Sequence, residues 1–405
     1  MKSELLDVYR AALAACDPAR LMQERFDPDL RERLSDAFVI VLGKAAARIT
    51  DALLAFGWKG RGFIGVPSGY GTASWPSASL VAEGSHPSIS KKSFEAGSRL
   101  LETVSRLDEP AFVFISGGAS ACVESPLSPW IDRDLLSSTN EKLLRGGISI
   151  EEINVVRKHL SAIKGGRLAG MLRPESTAWI LSDVPSGRLD LVGSGPTLAD
   201  PSTSREAAAI LERVGGERSV ADQLRSGVIP ESPKEVAMRS QLLGDNRTLV
   251  RAAVTEAGSR GYELSEGDRP LDVDVETAAK YLAERLRSMT PGTIFIGGGE
   301  PTVVVSGDGT GGRCSELAVR LLLRANQDAL PPFDALIASS DGVDGNSGAA
   351  GYLFRWNGKL PWKRSDAEAA LTRSDAHGLM ARGGEPIIMQ ATGNNLRDLM
   401  MMARR

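Results

Sequence analysis

The sequence predicts an α/β protein of two domains. Short, continuously apolar runs alternate with stretches of helical period, glycine-rich turns close many of these runs, and the chain has 405 residues. Such runs suit strands buried on both faces. Their alternation with helices points to a mostly parallel sheet covered on both sides. The length exceeds one typical hydrophobic core, so two domains are expected.

Taken in order, residues 3–16 place Leu5, Val8, Ala12 and Leu13 on one helical face and stop at Asp17-Pro18. Phe38-Val39-Ile40-Val41-Leu42 is too short for a helix and reads as a buried strand. Gly43-Lys44 ends it, and Ala45-Ala46-Ala47 opens a helix. Residues 62–66, 79–82, 111–115 and 177–181 repeat the strand pattern. Between about residues 214 and 246 the pattern loosens around Gly215-Gly216, Pro230 and Pro233, which places domains at 1–235 and 236–405. In the second, residues 273–287 have helical period, and 293–296 and 302–305 read as strands flanking Gly297-Gly298-Gly299-Glu300-Pro301. A helix over about 315–325 and a strand at 335–338 follow.

Composition removes several function classes. With 42% hydrophobic and 24% charged residues the chain has no signature of long disorder. A net charge of -3 gives no electrostatic footprint for nucleic acid or an anionic membrane. No apolar stretch approaches the roughly 20 residues that span a bilayer. The first ten residues carry Glu4 and Asp7 and lack a signal-peptide core, so a cytoplasmic location is expected. Cys16, Cys122 and Cys314 are scattered, as are His86, His159 and His377, without redox or zinc spacing. Glycine is the outlier, with 43 residues, many clustered after apolar runs.

Ligands of open sheets bind beyond the carboxyl ends of the strands, so each strand-end loop is a candidate. Gly43-Lys44 offers helix-start amides and a full charge to an anion, although taken alone a lysine beside a tight turn reads more readily as surface. It lacks the spacing of a Walker P-loop. Ser116-Gly117-Gly118-Ala119-Ser120 combines close backbone approach with two hydroxyls, which suits phosphate or carboxylate. Residues 154–167 bring Arg157, Lys158, Lys164 and Arg167 to a helix and glycine turn; His159 there reads as structural. Asp183 lies past a strand and can hold a metal or take a hydroxyl proton, or simply cap a turn; Gly193-Ser194-Gly195 follows. Gly307, Gly309 and Gly312 satisfy G-x-G-x-x-G, the main argument for a dinucleotide oxidoreductase. Arg313 after them also suits a transferring phosphoryl group. Asp341 and Asp344 in a glycine-rich turn could position magnesium or a polyol hydroxyl, or form Asx turns.

Taken together, these loops resemble the class II glycerate 2-kinase family, whose C-terminal portion is the MOFRL domain. The resemblance rests on Gly43-Lys44-Ala45-Ala46, Ser85-His86-Pro87, Ser116 to Ser120, residues 154–166, Ser182-Asp183-Val184 and Ser194-Gly195-Pro196-Thr197. It continues through Gly298 to Glu300, Gly311-Gly312-Arg313, Asp341 to Gly345 and Thr392-Gly393, in family order over nearly the whole chain. It implies a Rossmann-like three-layer α/β/α N-terminal domain and a smaller α/β C-terminal domain containing the MOFRL region at about 290–400. It also implies a cleft between them and ATP-dependent phosphorylation of D-glycerate to 2-phosphoglycerate, with Mg2+ bridging phosphate oxygens.

Lys44 and Arg313 match the residues thought to serve catalysis, and Asp183 is assigned to metal contact or to the hydroxyl proton. Gly43, Ser116, Gly117, Gly118, Ser120, Arg157, Lys164, Ser194, Gly195, Glu300, Gly311 and Gly312 are assigned to substrate or phosphate, and Asp183 with Asp341 to the metal. The partners expected are a small hydroxy acid and ATP, with a homodimer left open. The chain departs from the family pattern at Ser186-Gly187-Arg188, at Gly348 in place of a third acid, at Cys314-Ser315, and at Gln390-Ala391-Thr392-Gly393-Asn394-Asn395. These departures leave the alternative of a divergent paralogue with altered substrate or lost turnover, and the G-x-G-x-x-G match leaves a second, an NAD(P)H-dependent hydroxypyruvate reductase.

Overall fold

Central strands buried at nearly every position build the first of two compact units, Met22–Leu243. The computed structural model describes residues 2–69, 75–86 and 88–405. Strands β1 (Phe38–Leu42), β2 (Gly62–Pro67), β3 (Ser79–Gly84), β4 (Ala111–Ser116), β5 (Thr177–Leu181) and β6 (Arg239–Gly244) form one sheet in the order β3-β2-β1-β4-β5-β6. β1 pairs in parallel with β2 and β4, β2 with β3, and β4 with β5. The parallel sheet expected here is present. Ile40, Leu42, Val113, Ile115, Ala178 and Ile180 face one core with the helix Lys91–Ser105. The intervening Phe114 and Trp179 face Phe26, whose ring centroid lies 4.8 Å from that of Trp179. Each such side chain contributes roughly 1.5–3 kcal/mol on burial. Four amphipathic helices, Arg133–Arg145, Ile150–Leu160, Ser204–Arg213 and Arg218–Ser226, pack their own cluster around Leu143, Val156, Leu211 and Leu224.

In this sheet the chain runs outward from β1 to β3, then restarts beside β1 with β4 and runs the other way. The carboxyl ends of β1 and β4 therefore flank a topological switch point, where crossovers leave in opposite directions and a crevice opens. Gly43-Lys44 and Ser116-Gly117-Gly118 occupy those two ends.

The second unit joins Met1–Leu21 to Gly244–Arg405. Its strands are β7 (Glu263–Glu266), β8 (Thr293–Gly299), β9 (Phe333–Ser339), β10 (Gly351–Trp356), β11 (Gly384–Ile387) and β12 (Asp398–Arg404), in the order β11-β10-β9-β12-β8-β7. Only β7 and β8 pair in parallel; β8 with β12, β12 with β9, β9 with β10 and β10 with β11 are antiparallel. The parallel pattern thus does not extend to this unit, because β12 enters between β8 and β9. Helices Val275–Ser288 and Arg313–Gln327 cover the face of Phe295, Ile337, Phe354 and Met400.

The expected strand at 302–305 is absent. β8 already has β12 on one edge and β7 on the other, leaving no edge for a hairpin partner. Thr302 makes a single bridge to Asp274, and Val304 and Val305 are 88% and 73% exposed. Without that strand, the G-x-G-x-x-G run at 307–312 is not the first turn of a strand–helix unit, and the structural support for a dinucleotide fingerprint goes with it.

The sequence reading places residues 1–21 with the first domain, whereas they pack with 244–405. Helix Lys2–Ala15 buries Leu5, Val8, Tyr9 and Ala12. The Tyr9 hydroxyl donates to the Ser339 carbonyl at 2.6 Å, and Asn394 Nδ2 donates to the Cys16 carbonyl at 2.6 Å. Among the described residues no helix is long and apolar enough to cross a membrane.

Candidate active site

In the first unit the strand ends interlock through backbone bonds that only glycine permits. Gly43 has φ +111°, and a Cβ there would lie 2.5 Å from Ser116 Oγ. Lys44 N donates to the Gly117 carbonyl at 2.9 Å, and Ala45 N donates to Ser116 Oγ at 3.1 Å. Ser116 Oγ in turn donates to the Leu42 carbonyl. Ser116 is therefore a brace between β1 and β4, with its hydroxyl engaged on both sides.

The functional side chains lie against the next two glycines. A Cβ on Gly117 would fall 1.7 Å from Asp183 Oδ2, so the Asp183 carboxylate rests on bare backbone. Gly118 has φ +83°, and a Cβ there would meet Lys44 Cγ at 2.9 Å and His86 Cδ2 at 3.2 Å. Lys44, His86, Gly117, Gly118 and Asp183 are thereby brought together at the switch point. Lys44 forms no ion pair among the described residues. Partial burial, then the charges of Lys44 and Arg157, push the His86 imidazole down to about 4, which favours the neutral ring. Pro87, beside it in the sequence, lies outside the described residues.

A pocket of about 210 Å³ opens here, with Gly117, Gly118, Ser120, Asn154, Arg157 and Asp183 in its wall. Asn154 and Arg157 are three apart on helix Ile150–Leu160 and share a face. Arg157 is 7% exposed; its Nε donates to Asn140 Oδ1 at 2.7 Å, leaving the terminal N–H groups for the pocket. Burial pushes its pKa down, with Glu124 acting in opposition. Asn154 Oδ1 accepts the Ser194 hydroxyl at 2.5 Å.

Other predicted residues stand behind the wall. Ser194 takes φ +62° between Gly193 and Gly195, and its carbonyl and that of Gly195 accept from Gly165 N and Gly166 N. Ser194 and Gly195 thus hold two loops together and do not line the pocket. Lys164 is fully buried in an ion pair with Glu124, whose Oε1 also accepts the Ser161 hydroxyl. Lys158 bridges Asp190 and Asp200, and His159 meets Glu231 at 2.6 Å, which ties the helix to the loops beside it. His86 and Asn154 were not among the predicted site residues, although both fall inside motifs that the sequence displays.

The second unit arranges its charged loop differently. Arg313 donates through Nε and Nη2 to both oxygens of Asp398, at 2.6 and 2.8 Å, and meets Ser339 Oγ at 3.3 Å and Glu300 Oε1 at 3.1 Å. Of five guanidinium donors, these contacts leave one Nη1–H. Burial opposes the charge, but Asp398 and Glu300 outweigh it and hold the guanidinium protonated. Arg397, at φ +68°, pairs with Asp272, and Glu300 N donates to the same carboxylate.

The glycines before Arg313 are also engaged. Gly311 N donates to Asn346 Oδ1 and Gly312 N to Ser315 Oγ, both at 2.8 Å. The start of helix Arg313–Gln327 is capped by buried Asp344, which accepts from Cys314 N and Ser315 N. A Cβ on Gly312 would lie 2.2 Å from that carboxylate. The anion at this helix start is therefore supplied by the chain itself. Asp341 Oδ1 accepts from Ser339 Oγ at 2.7 Å and Val343 N at 2.9 Å, an Asx turn.

Asp183 belongs to one unit and Asp341 to the other. Among the described residues no three His, Cys, Asp or Glu side chains cluster as a ready metal cage. Mg2+ needs only one or two carboxylates when substrate phosphates supply the rest, and Asp183 fits that lesser demand.

Comparison with known proteins agrees along the chain. Residues 4–228 match the model described as Domain of unknown function (DUF4147), and residues 293–398 match the MOFRL family. D-glycerate 2-kinase of Thermotoga maritima is 31% identical, over 99% of this chain and 98% of that protein. Glycerate 2-kinase of Sulfurisphaera tokodaii is 34% identical over 79% and 78%. The crystal structure of glycerate kinase from Thermotoga maritima superposes with a TM-score of 0.86 at 28% identity, covering 100% of this chain and 99% of that one. The chain belongs to the glycerate kinase family with a C-terminal MOFRL domain.

Proposed function

We infer that this member of the family transfers the γ-phosphoryl group of ATP to a hydroxyl of D-glycerate, giving 2-phosphoglycerate and ADP. The observation that carries the reading is the small pocket at the switch point. It brings a buried arginine with open donors and a carboxylate to one place, and the stem of Lys44, a cation without a carboxylate partner, packs against Gly118 in its wall. At about 210 Å³ it suits a three-carbon acid better than a whole nucleotide.

The roles follow from the chemistry of each group. Arg157 receives the substrate carboxylate through its terminal N–H groups. The substrate hydroxyl oxygen attacks the γ-phosphorus as the bond to the β-phosphate bridging oxygen breaks, and Asp183 accepts the hydroxyl proton. Lys44 stabilises charge on the phosphoryl group in transit. Asp183 also offers the oxygen by which a nucleotide-borne Mg2+ would be held; the ion would neutralise phosphate charge.

The test is ADP release by the purified full chain across a panel of small sugar acids. Turnover is expected with D-glycerate. Arg157→Gln should raise its KM by about tenfold or more, with kcat changed less, reflecting the loss of a charge-assisted hydrogen bond. A folded protein that turns over none of the panel would sink the reading.

A further inference from the structure

The second unit holds a depression of about 230 Å³ to which the reaction above assigns no role. It lies where β7 and β8 run side by side, floored by Gly267 and Gly297-Gly298 and walled by helix Asn246–Ser259. Gly298 must stay bare, because a Cβ would lie 2.1 Å from Asn246 Oδ1. Asn246 is itself fixed by bonds from Nδ2 to the carbonyls of Leu396 and Asp398. Floor and helix are thus locked together.

Three arginines surround it. Arg247 and Arg251 are four apart on the helix, and Arg269 comes from the loop after β7, its guanidinium 5.4 Å from the Tyr281 ring centroid. Elsewhere in this unit Arg260, Arg285, Arg320 and Arg355 each hold a carboxylate. Arg247, Arg251 and Arg269 hold none among the described residues. Of the two acids in the wall, Asp268 is engaged by the Tyr281 hydroxyl at 2.6 Å and by Arg285 at 3.1 Å, which leaves Glu266 against three cations. Arginine in the first turn of a helix also opposes the helix dipole, so an anion here would relieve a local electrostatic cost.

We propose that this pocket binds a phosphoryl oxyanion, with the phosphate tail of the nucleotide as its source; that source rests on the kinase reading above. Planar guanidinium forks match phosphate oxygens, and three on one concave surface supply the charge and the direction. The volume falls below the about 300 Å³ at which pockets for whole drug-sized ligands begin, so phosphates fit without base and ribose.

Pyrophosphate is the probe, titrated calorimetrically into the full chain and into an Arg247→Gln/Arg251→Gln double variant. Saturable binding is expected, weaker as salt rises and competed by ADP, with an affinity loss of at least about tenfold in the double variant and a smaller loss in Arg269→Gln. The three side chains are exposed, so the melting temperature of each variant should match the parent and rule out unfolding. No binding at millimolar pyrophosphate, or equal affinity in parent and double variant, overturns the proposal. Arginine-dependent binding that ADP does not displace keeps the oxyanion pocket and overturns the nucleotide as its source, leaving free phosphate. D-glycerate-dependent ADP release on the same samples reports on the reaction separately. A protein that binds pyrophosphate through these arginines but leaves D-glycerate untouched retains the pocket and loses the kinase reading.

Discussion

At the ends of β1, β4 and β5, glycines remove side chains so that Arg157 and Asp183 line one pocket and Lys44 lies against Gly118 in its wall, with donors on Arg157 to spare. Before Arg313, a loop just as rich in glycine has its amides taken by Asn346 and Ser315, its helix start capped by Asp344, and its arginine held by Asp398 and Glu300. Glycine content is the same signal in both places, yet the electrostatic states are opposite. What distinguishes a binding loop from a scaffold is whether its donors are already occupied. A donor satisfied within the fold offers a ligand only an exchange of partners.

If this contrast holds, substitutions in the first loop should cost activity and those in the second should cost stability. Lys44→Ala should lower kcat by about 10²–10³-fold, as removal of one transition-state donor does, with an unchanged melting temperature. Gly117→Ala should drive a methyl group into Asp183 and lower kcat/KM by about 10²-fold through misplacement of the carboxylate; a correct circular dichroism spectrum with full activity would refute this placement.

In the second unit, Asp398→Ala leaves Arg313 without its two-pronged partner and should reduce unfolding free energy by about 3 kcal/mol in urea titration. A stable variant with lost turnover would make the two loops alike after all. The smallest effect is at His86. The unfolded chain takes up its proton near the ordinary 6.5, while the folded chain resists to about 4, so stability falls as pH drops through that window. His86→Gln should flatten part of that slope and leave the region above pH 7 unchanged.

Much of the first unit is legible from residues alone. Runs such as Phe38–Leu42 and Ala111–Ser116 are apolar at every position, which a parallel strand between two helical layers requires. The loops that follow them include Lys44 and Asp183, where the fold concentrates its exposed chemistry. The second sheet is less legible because antiparallel partners meet across long sequence separations. Met401 lies opposite both Ile296 and Leu336, and nothing local announces either pairing. The buried pairs escape for the same reason. Lys164 reads as a cation for substrate or phosphate until Glu124, forty residues earlier, is found against it. Arg313 reads as a free guanidinium until Asp398 is found eighty-five residues later.

The placement of helix Lys2–Ala15 also sets an order of events during synthesis. Its apolar face is made before the surface it covers, which includes β9, and Cys16 is held by Asn394, 378 residues further on. β12 lies between β8 and β9, so neither of those strands has its full set of neighbours until residues 398–404 have emerged. Meanwhile the residues from 22 to 243 can fold as a unit, and Leu5, Val8 and Tyr9 wait for the elements they pack on, helix Asn246–Ser259 foremost. Until residue 259 has emerged, the ribosome-bound chain thus carries an apolar helix whose main partner does not yet exist.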